Sequence, residues 1–463
     1  MGFFLGIDLG TSYFKAGLFD KTGKIRGLGH QFVKKESENN TICELNLNVF
    51  WNTLHSCVSE ALHGAGIFPG EITAVSYSSQ ANSFILLDGN DVPLTPFILW
   101  PDNRAEKTDA RIEALGSRVD FNRITGLGIT PGGQFTISKI NWFRKIRPEI
   151  WGRVKSILSI SDFLTFSLSG QKLSDASTSA MTGLLDITKC QWWDKSLEIL
   201  DLDSSCLPVP KRTGTYAGQL TDDGAELIGL TSGIPYFLGG LDHHCAAIGS
   251  GLTQNANLCE STGTVLSCVA YSDDYSPKPD IFLAPGLSEK HYFRMAFDDN
   301  GAHSLEWYQN MYASDLSIPE LLEMAKEVEP GCLGLVAQPF ACRYDDLEGF
   351  LNIRPVHKHG HFVRAILEST AMSLKDLTGI IKKPGFQGAI VSTGGGAQSS
   401  LWVKIKADIL ETDFYIPNSH ETACMGAAMI GAAGSEELGD WNEIVKEWVK
   451  FKEIVKPSLK NNN

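Results

Sequence analysis

The chain has 463 residues, 43% of them hydrophobic, and a formal net charge of -14. That length suits two domains of roughly 200 residues or more, and the apolar fraction excludes disorder for the bulk of the chain. The acidic balance argues against nucleic acid or an anionic membrane as partner, the ten cysteines contain no C-x-x-C pair and read as small buried residues, and no run approaches the about eighteen apolar residues of a bilayer span.

Phe3 to Asp20 reads as strand, tight turn, strand, with Gly10-Thr11-Ser12 at the turn. No basic stretch, apolar h-region or cleavage site precedes it, so a cytoplasmic protein is expected. Asp8 lies between Ile7 and Leu9, where burying an acid calls for a cation or good donors; this points to a hydrated metal ion held by Asp8. The backbone N–H groups and hydroxyls of the turn suit phosphate oxygens, with Lys15 as a mobile positive charge nearby. Ordinary turn chemistry with a solvated lysine would use the same residues.

Strand-like runs at Ile72 to Tyr77, Phe84 to Leu87, Ser156 to Ile160 and Ala389 to Ser392 alternate with helical ones, which indicates α/β layering. A division near Gly233 separates residues 1–233 from 234–463. Just after it, the apolar run Ile234 to Leu238 passes through Gly239 and Gly240 into a helical pattern, with Asp242 at the junction. The glycines admit substrate and phosphate close to the backbone, the helix aims free amides at negative charge, and Asp242 is placed as a catalytic base. A helix N-cap would also favour an aspartate there. His243 and His244 lack metal-ligand spacing and a third ligand.

Leu258 to Ala270 repeats strand, Gly-Thr turn and strand, and two phosphate-cradling hairpins imply two related lobes. A polar stretch, Arg343 to Glu348, reads as a loop. Gly394-Gly395-Gly396 follows a short apolar run; the backbone there can lie against a nucleobase or ribose, though a flexible turn has the same composition. In the helical pattern beyond it, Leu401, Val403, Ile405, Ala407 and Ile409 fall partly on an apolar face, with Lys404, Lys406 and Asp408 between them. Large apolar residues from Leu438 to Phe451 have the spacing of a helix docked on a domain, and Ser458 to Asn463 reads as a frayed tail.

These motifs, in this order, resemble the FGGY family of carbohydrate kinases, whose fold belongs to the actin, hexokinase and heat-shock ATPase superfamily. The likeness runs from about Leu5 to Ala433. It rests on Asp8 to Lys15, on the G-G-x-D-x-x-x-A-x-x-G pattern from Gly239 to Gly249, on Gly394 to Leu410, on Glu421 to Ala428, and on Leu99-Trp100-Pro101-Asp102-Asn103-Arg104-Ala105. The resemblance implies two ribonuclease H-like domains with a cleft between them, ATP and Mg²⁺ as cofactors, and a sugar as substrate. A homodimer is an admissible assembly. Asp242 would be the general base, and Asp8 and Asp242 would anchor the metal. Thr11, Ser12, Tyr13, Lys15, Gly263 and Thr264 would contact phosphate, Gly395, Gly396 and Ser399 the adenosine, and Gly301 is a further match to the ATP site.

For the sugar, the resemblance points to Gln80, Asn82, Trp100, Asp102, Arg104, Gln134, Asp242 and His243. Trp100 would supply an apolar wall and Asp102 with Arg104 would fix hydroxyls, unless those two form an internal ion pair of a structural turn. The Arg-Glu pair that glycerol kinases carry at Ala81-Asn82, and the Met-His pair of xylulose kinases, are both absent. The Gly-Glu-Arg-rich element that many relatives carry near Arg343 to Glu348 is also missing. Leu87-Asp88-Gly89 and Pro93-Leu94 look more like the xylulose and gluconate kinase branches, so a five- or six-carbon ketose is expected, xylulose first. Gluconate, ribulose or another polyol or sugar acid is the alternative. A non-catalytic ATP-binding sugar sensor is the reading from another class, and the presence of both Asp8 and Asp242 weighs against it. No G-x-x-x-x-G-K-[ST] occurs, which excludes a P-loop enzyme.

Overall fold

Apolar residues fill the first strand on both faces, the mark of a strand covered on each side. In the computed structural model, which describes residues 2–38, 41–107, 109–252, 256–381, 388–439 and 441–458, β1 (Phe3–Leu9) and β2 (Tyr13–Asp20) form the expected antiparallel hairpin. β3 (Ile25–Phe32) continues it. Helix α1 (Leu47–Ala65) begins at Asn46, whose side chain accepts from the Asn48 N–H, and stops at Gly66 in the left-handed region. Phe50, Leu54, Cys57, Val58 and Ala61 give it a single buried face.

β4 (Ile72–Ser79) lies parallel to β1. Helix α2 (Thr136–Ile146) follows after two short helices. β5 (Tyr216–Gln219), β6 (Pro235–Phe237) and β7 (Gly240–Leu241) complete a sheet of order β5-β6-β4-β1-β2-β3, with β7 also on β4. Helix α3 (Asp242–Gly249) follows directly.

The contacts within the chain define two units. The first comprises Met1–Gly249, Tyr271–Arg294 and Glu421–Val449, and the second Ser250–Ala270, Met295–His420 and Lys450–Asn463. Thus β6, β7 and α3, which follow Gly233, belong with the residues before it.

β8 (Ala256–Thr262) and β9 (Leu266–Ser272), which belong to the second unit up to Ala270, form the second expected hairpin. α4 (His303–Tyr312), α5 (Ile318–Lys326) and α6 (His359–Ile381) precede β10 (Ala389–Thr393), which runs parallel to β8. α7 (Ser400–Leu410) leads to β11 (Phe414–Pro417). Leu305, Tyr308, Phe362, Val363, Ile366 and Trp402 centre one apolar cluster, and Leu258, Leu266, Ile390, Val403 and Phe414 a second under the sheet.

The chain then returns to the first unit as α8 (Thr422–Gly434), a helix of small residues buried nearly all round. Its backbone touches its neighbours directly: a Cβ on Gly6 of β1 would collide with the Cys424 carbonyl, and one on Gly426 with the Cys245 carbonyl of α3. The expected C-terminal docking helix is α9 (Trp441–Trp448), which buries Ile444, Val445 and Trp448. The Trp448 indole stacks on Phe19 and donates to the Lys21 carbonyl at 3.1 Å. The helix ends before Phe451 because that residue opens β12 (Phe451–Val455), a strand paired with β11 in the second unit. In the expected tail, the Ser458 N–H donates to Asp408, and residues 459–463 lie outside the described residues.

Candidate active site

The register of the first sheet sets Asp8 opposite Lys15 on β2 and level with Ser78 on β4. The Ser78 hydroxyl donates to Asp8 Oδ1 at 2.7 Å. Burial nonetheless raises the Asp8 pKa to about 6, and the negative charge of Asp242 adds to the rise, while the Ser78 hydrogen bond and Lys15 oppose it. Lys15 is not the mobile charge expected: its ammonium donates to Glu421, just before α8, at 2.7 Å. Burial works against that charge, but Glu421 outweighs it and the Lys15 pKa is raised. At the turn, Thr11 Oγ1 accepts from Trp100 Nε1, Ser12 is exposed with its carbonyl holding the Val33 N–H, and the Tyr13 ring rests on His30 at 4.4 Å.

β7 pairs with β4 at Ser78 and Ser79, the residues level with Asp8 and Leu9 of β1, and Asp242 is the next residue, its charge acting on Asp8. Asp242 opens α3, half-buried, and its Oδ1 accepts from the N–H of the next residue, His243, at 2.7 Å, which differs from the N2 or N3 bond of an N-cap. The strand before it is pinned: the Leu241 N–H donates to Ser177 Oγ, which donates to the buried Asp175 carboxylate, itself bonded by Tyr77. His243 is half-buried beside Asp242. His244 stacks on Phe293 at 4.2 Å, and burial pushes its pKa down to about 3, which makes it a neutral core group.

The expected sugar residues separate into two groups. Asn82 has φ 58, accepts at Oδ1 from both the N–H and the hydroxyl of Thr136, and sits half-buried. Trp100 is 43% exposed, enough to offer a face, while its backbone N–H donates to Ser83. Gln134 is exposed just before α2. In contrast, Gln80 is buried and fully engaged: its amide donates to the Leu9 and Gly10 carbonyls and its oxygen accepts from Ser83. Asp102 is wholly buried, accepting from the Cys43 N–H and from Arg104, and Arg104 also reaches Glu44. Asp102 and Arg104 thus form an internal ion pair in a turn, with Glu44 as a second partner of the guanidinium.

Sequence reasoning missed Lys139 of α2. Its side chain is fully buried, and its ammonium donates to the carbonyls of Asn82, Leu99 and Trp100. Its place on the apolar face with Thr136, Ile140 and Phe143 was the available signal.

The second unit holds the other glycine motifs. A cavity of about 480 Å³ is lined by Gly395, Gly396 and Ser399 together with Leu305 and Glu306 of α4 and Ile318 and Leu322 of α5. The last four were not foreseen. Ser399 caps α7, accepting from the Trp402 N–H. Gly263 and Thr264 form the tip of the β8–β9 hairpin, and Gly301 packs against them: the Ala302 N–H donates to the Gly263 carbonyl, and any Cβ on Gly301 would strike the Thr264 carbonyl. In the same unit Lys406, expected between apolar positions with Lys404 and Asp408, is fully buried; it donates to Glu260 at 2.8 Å and Thr262 at 2.6 Å. Glu260 also accepts from Ser392, so one buried carboxylate ties both glycine loops. Arg343, in the polar loop, pairs with Asp299 at an exposed site.

Residues 3–249 match the N-terminal domain, and residues 341–435 the C-terminal domain, of the FGGY family of carbohydrate kinases. The chain belongs to this family. As an FGGY kinase it is an ATP-dependent carbohydrate kinase. A xylulose kinase of Lactococcus lactis is 31% identical over 98% of this chain and 92% of its own. A gluconokinase of Bacillus subtilis is 26% identical over 96% and 89%. The crystal structure of a xylulose kinase from Rhodospirillum rubrum, 22% identical, superposes with a TM-score of 0.89 over 98% of this chain and 94% of that one, which places the α/β fold among FGGY kinases. Among the described residues no helix is long and apolar enough to cross a membrane, and no group of three or more His, Cys, Asp or Glu could hold a metal ion alone.

Proposed function

We propose that this kinase transfers the γ-phosphoryl group of ATP to a hydroxyl of a five- or six-carbon ketose, xylulose first, with Asp242 as general base. The observation that carries the assignment is the placement of the Asp242 carboxylate by the β7 register, at the first turn of a helix and within reach of Asp8 by charge. A sugar hydroxyl is a weak nucleophile near neutral pH. Its proton passes to Asp242 as its oxygen bonds to the γ-phosphorus, and the bond to the bridging oxygen breaks with its electron pair leaving on ADP.

Asp8 and Asp242, two acids whose charges already oppose one another, fit a divalent cation, and Mg²⁺ bound there would neutralise charge on the phosphates. With so few carboxylates, most of its ligands would be water and phosphate oxygen. Trp100 and Asn82, with Gln134 and His243, receive the sugar; Gln80, Asp102 and Arg104 hold the segments that present them. In the first unit Thr11, Ser12, Tyr13 and Lys15 are read as phosphate contacts; in the second, Gly263 and Thr264 are read likewise, Gly301 as a further ATP contact, and the cavity at Gly395, Gly396 and Ser399 as the adenosine site. A cytoplasmic location goes with this reading, and a homodimer is compatible with it.

The test is sugar-stimulated ADP release from ATP across ketoses, polyols and sugar acids. Turnover with xylulose supports the reading, gluconate as the best acceptor would move it to the sugar-acid branch, and no turnover with any sugar would favour a sensor. Asp242→Asn should keep fold and nucleotide binding while lowering kcat by about 10² to 10⁴. Substantial remaining transfer would reject the base assignment.

A further inference from the structure

Lys139 is an ammonium without exposure in the middle of an apolar helix face, an arrangement that costs desolvation energy unless its donors are all used. They are: an ammonium has three N–H donors, and three carbonyls meet it, Asn82 at 3.2 Å, Leu99 at 2.6 Å and Trp100 at 3.2 Å. One turn earlier on the same helix, Thr136 holds the Asn82 side chain through two hydrogen bonds at 2.9 and 3.0 Å. Helix α2 therefore grips Asn82 by both its backbone and its amide, at a residue whose left-handed φ of 58 needs such restraint. The same ammonium fixes the segment that presents Trp100. Among the described residues, the other side-chain bond between these two segments is that of Ser83, which accepts from the Trp100 N–H.

We propose that Lys139 is a positioning residue of the acceptor-sugar subsite, setting the spacing between Asn82 and Trp100 and so governing sugar affinity and not nucleotide use. The inference rests on the reading that Asn82 and Trp100 touch the sugar. The charges that act on the ammonium are Asp102, Arg104 and the Cys43 thiol, and burial pushes its pKa down to about 7. Loss of its proton leaves two donors for three carbonyls.

The experiment compares KM for xylulose, KM for ATP and kcat in the wild type, Lys139→Met and Lys139→Arg, with Asn82→Ala and Trp100→Ala in parallel. Lys139→Met should raise the xylulose KM about tenfold or more, the loss expected for charged hydrogen bonds, with ATP KM and kcat changed by no more than about threefold. Lys139→Arg should recover part of the loss. A folded Lys139→Met with an unchanged xylulose KM, or an ATP KM that rises equally, overturns the proposal. Should Lys139→Met fail to fold, the wild type decides: the xylulose KM should climb between about pH 6 and 8, the window around the lowered Lys139 pKa, while the ATP KM stays level, and a level xylulose KM overturns the proposal. If Asn82→Ala and Trp100→Ala leave the xylulose KM unchanged, the acceptor reading falls and the inference with it; if they raise it and Lys139→Met does not, the inference alone falls.

Discussion

Trp100 Nε1 donates to Thr11 Oγ1 at 2.7 Å, across 89 positions of sequence, and joins the candidate sugar wall to the first phosphate turn. In the proposed reading, a group that orients the acceptor would thereby be mechanically linked to one that meets the donor's phosphates. Trp100→Phe keeps an apolar face and removes the bond. Together with Thr11→Val it should give a double-mutant coupling of about 1 kcal/mol in kcat/KM for the sugar, read from steady-state kinetics; additive effects would show that the bond carries no coupling.

In the second unit, Lys406→Met would leave the fully buried Glu260 without its cation. The expected loss is about 3–5 kcal/mol, and the double variant Lys406→Met with Glu260→Gln should recover much of it, because removing both charges also removes the desolvation cost. Thermal unfolding gives the stabilities. The ATP KM should rise in Lys406→Met, since Thr262 loses the ammonium bonded to its hydroxyl and Glu260, which holds Thr262 and Ser392, loses its cation.

Asp162 lies buried in the first unit, and burial raises its pKa to about 7; the Asp175 charge adds to this, while hydrogen bonds from Ser174 and Ser159 oppose it. A carboxyl raised in the folded state keeps a proton that the unfolded chain has already released between about pH 4 and 7, so its contribution to stability is fully present below that window and declines as pH rises through it. Asp162→Asn still accepts from the Ser159 N–H and does not titrate. Urea unfolding from pH 5 to 8 should therefore show a flatter stability profile in the variant, with its advantage over wild type greatest at pH 8.

Gly426→Ala would drive a methyl group into the Cys245 carbonyl and push α8 away from α3. Overpacking of this kind costs about 1–3 kcal/mol. Because α3 begins at Asp242, kcat should fall along with the melting temperature, whereas an equal insertion at exposed Gly70, where a Cβ meets nothing, should leave both unchanged.

Much of the frame was legible because its signals are local. The β1–β2 and β8–β9 hairpins, the entry into α3 and the docking of α9 each follow from neighbours within about fifteen residues, where turn glycines and apolar spacing act. The supporting charges were not legible. Lys139, Lys406 and Glu260 read locally as polar residues of helix or strand, and what buries them is a partner between 39 and 146 positions away. Lys15 looked mobile for the same reason: Glu421 lies 406 positions along the chain. Asp102 and Arg104 are only two apart, yet whether a short-range ion pair faces solvent or the interior depends on Glu44 and the Cys43 N–H, which local spacing does not reveal.

Helix α8 belongs to the first unit but is encoded after nearly all of the second. During synthesis, β1, β4 and α3 leave the ribosome long before the segment that covers them, so the nascent chain carries an uncovered apolar surface until the residues up to Gly434 have emerged. Truncations that stop short of Glu421 should then be substrates for chaperones and proteases, even though every residue from Asp8 to Asp242 has been made.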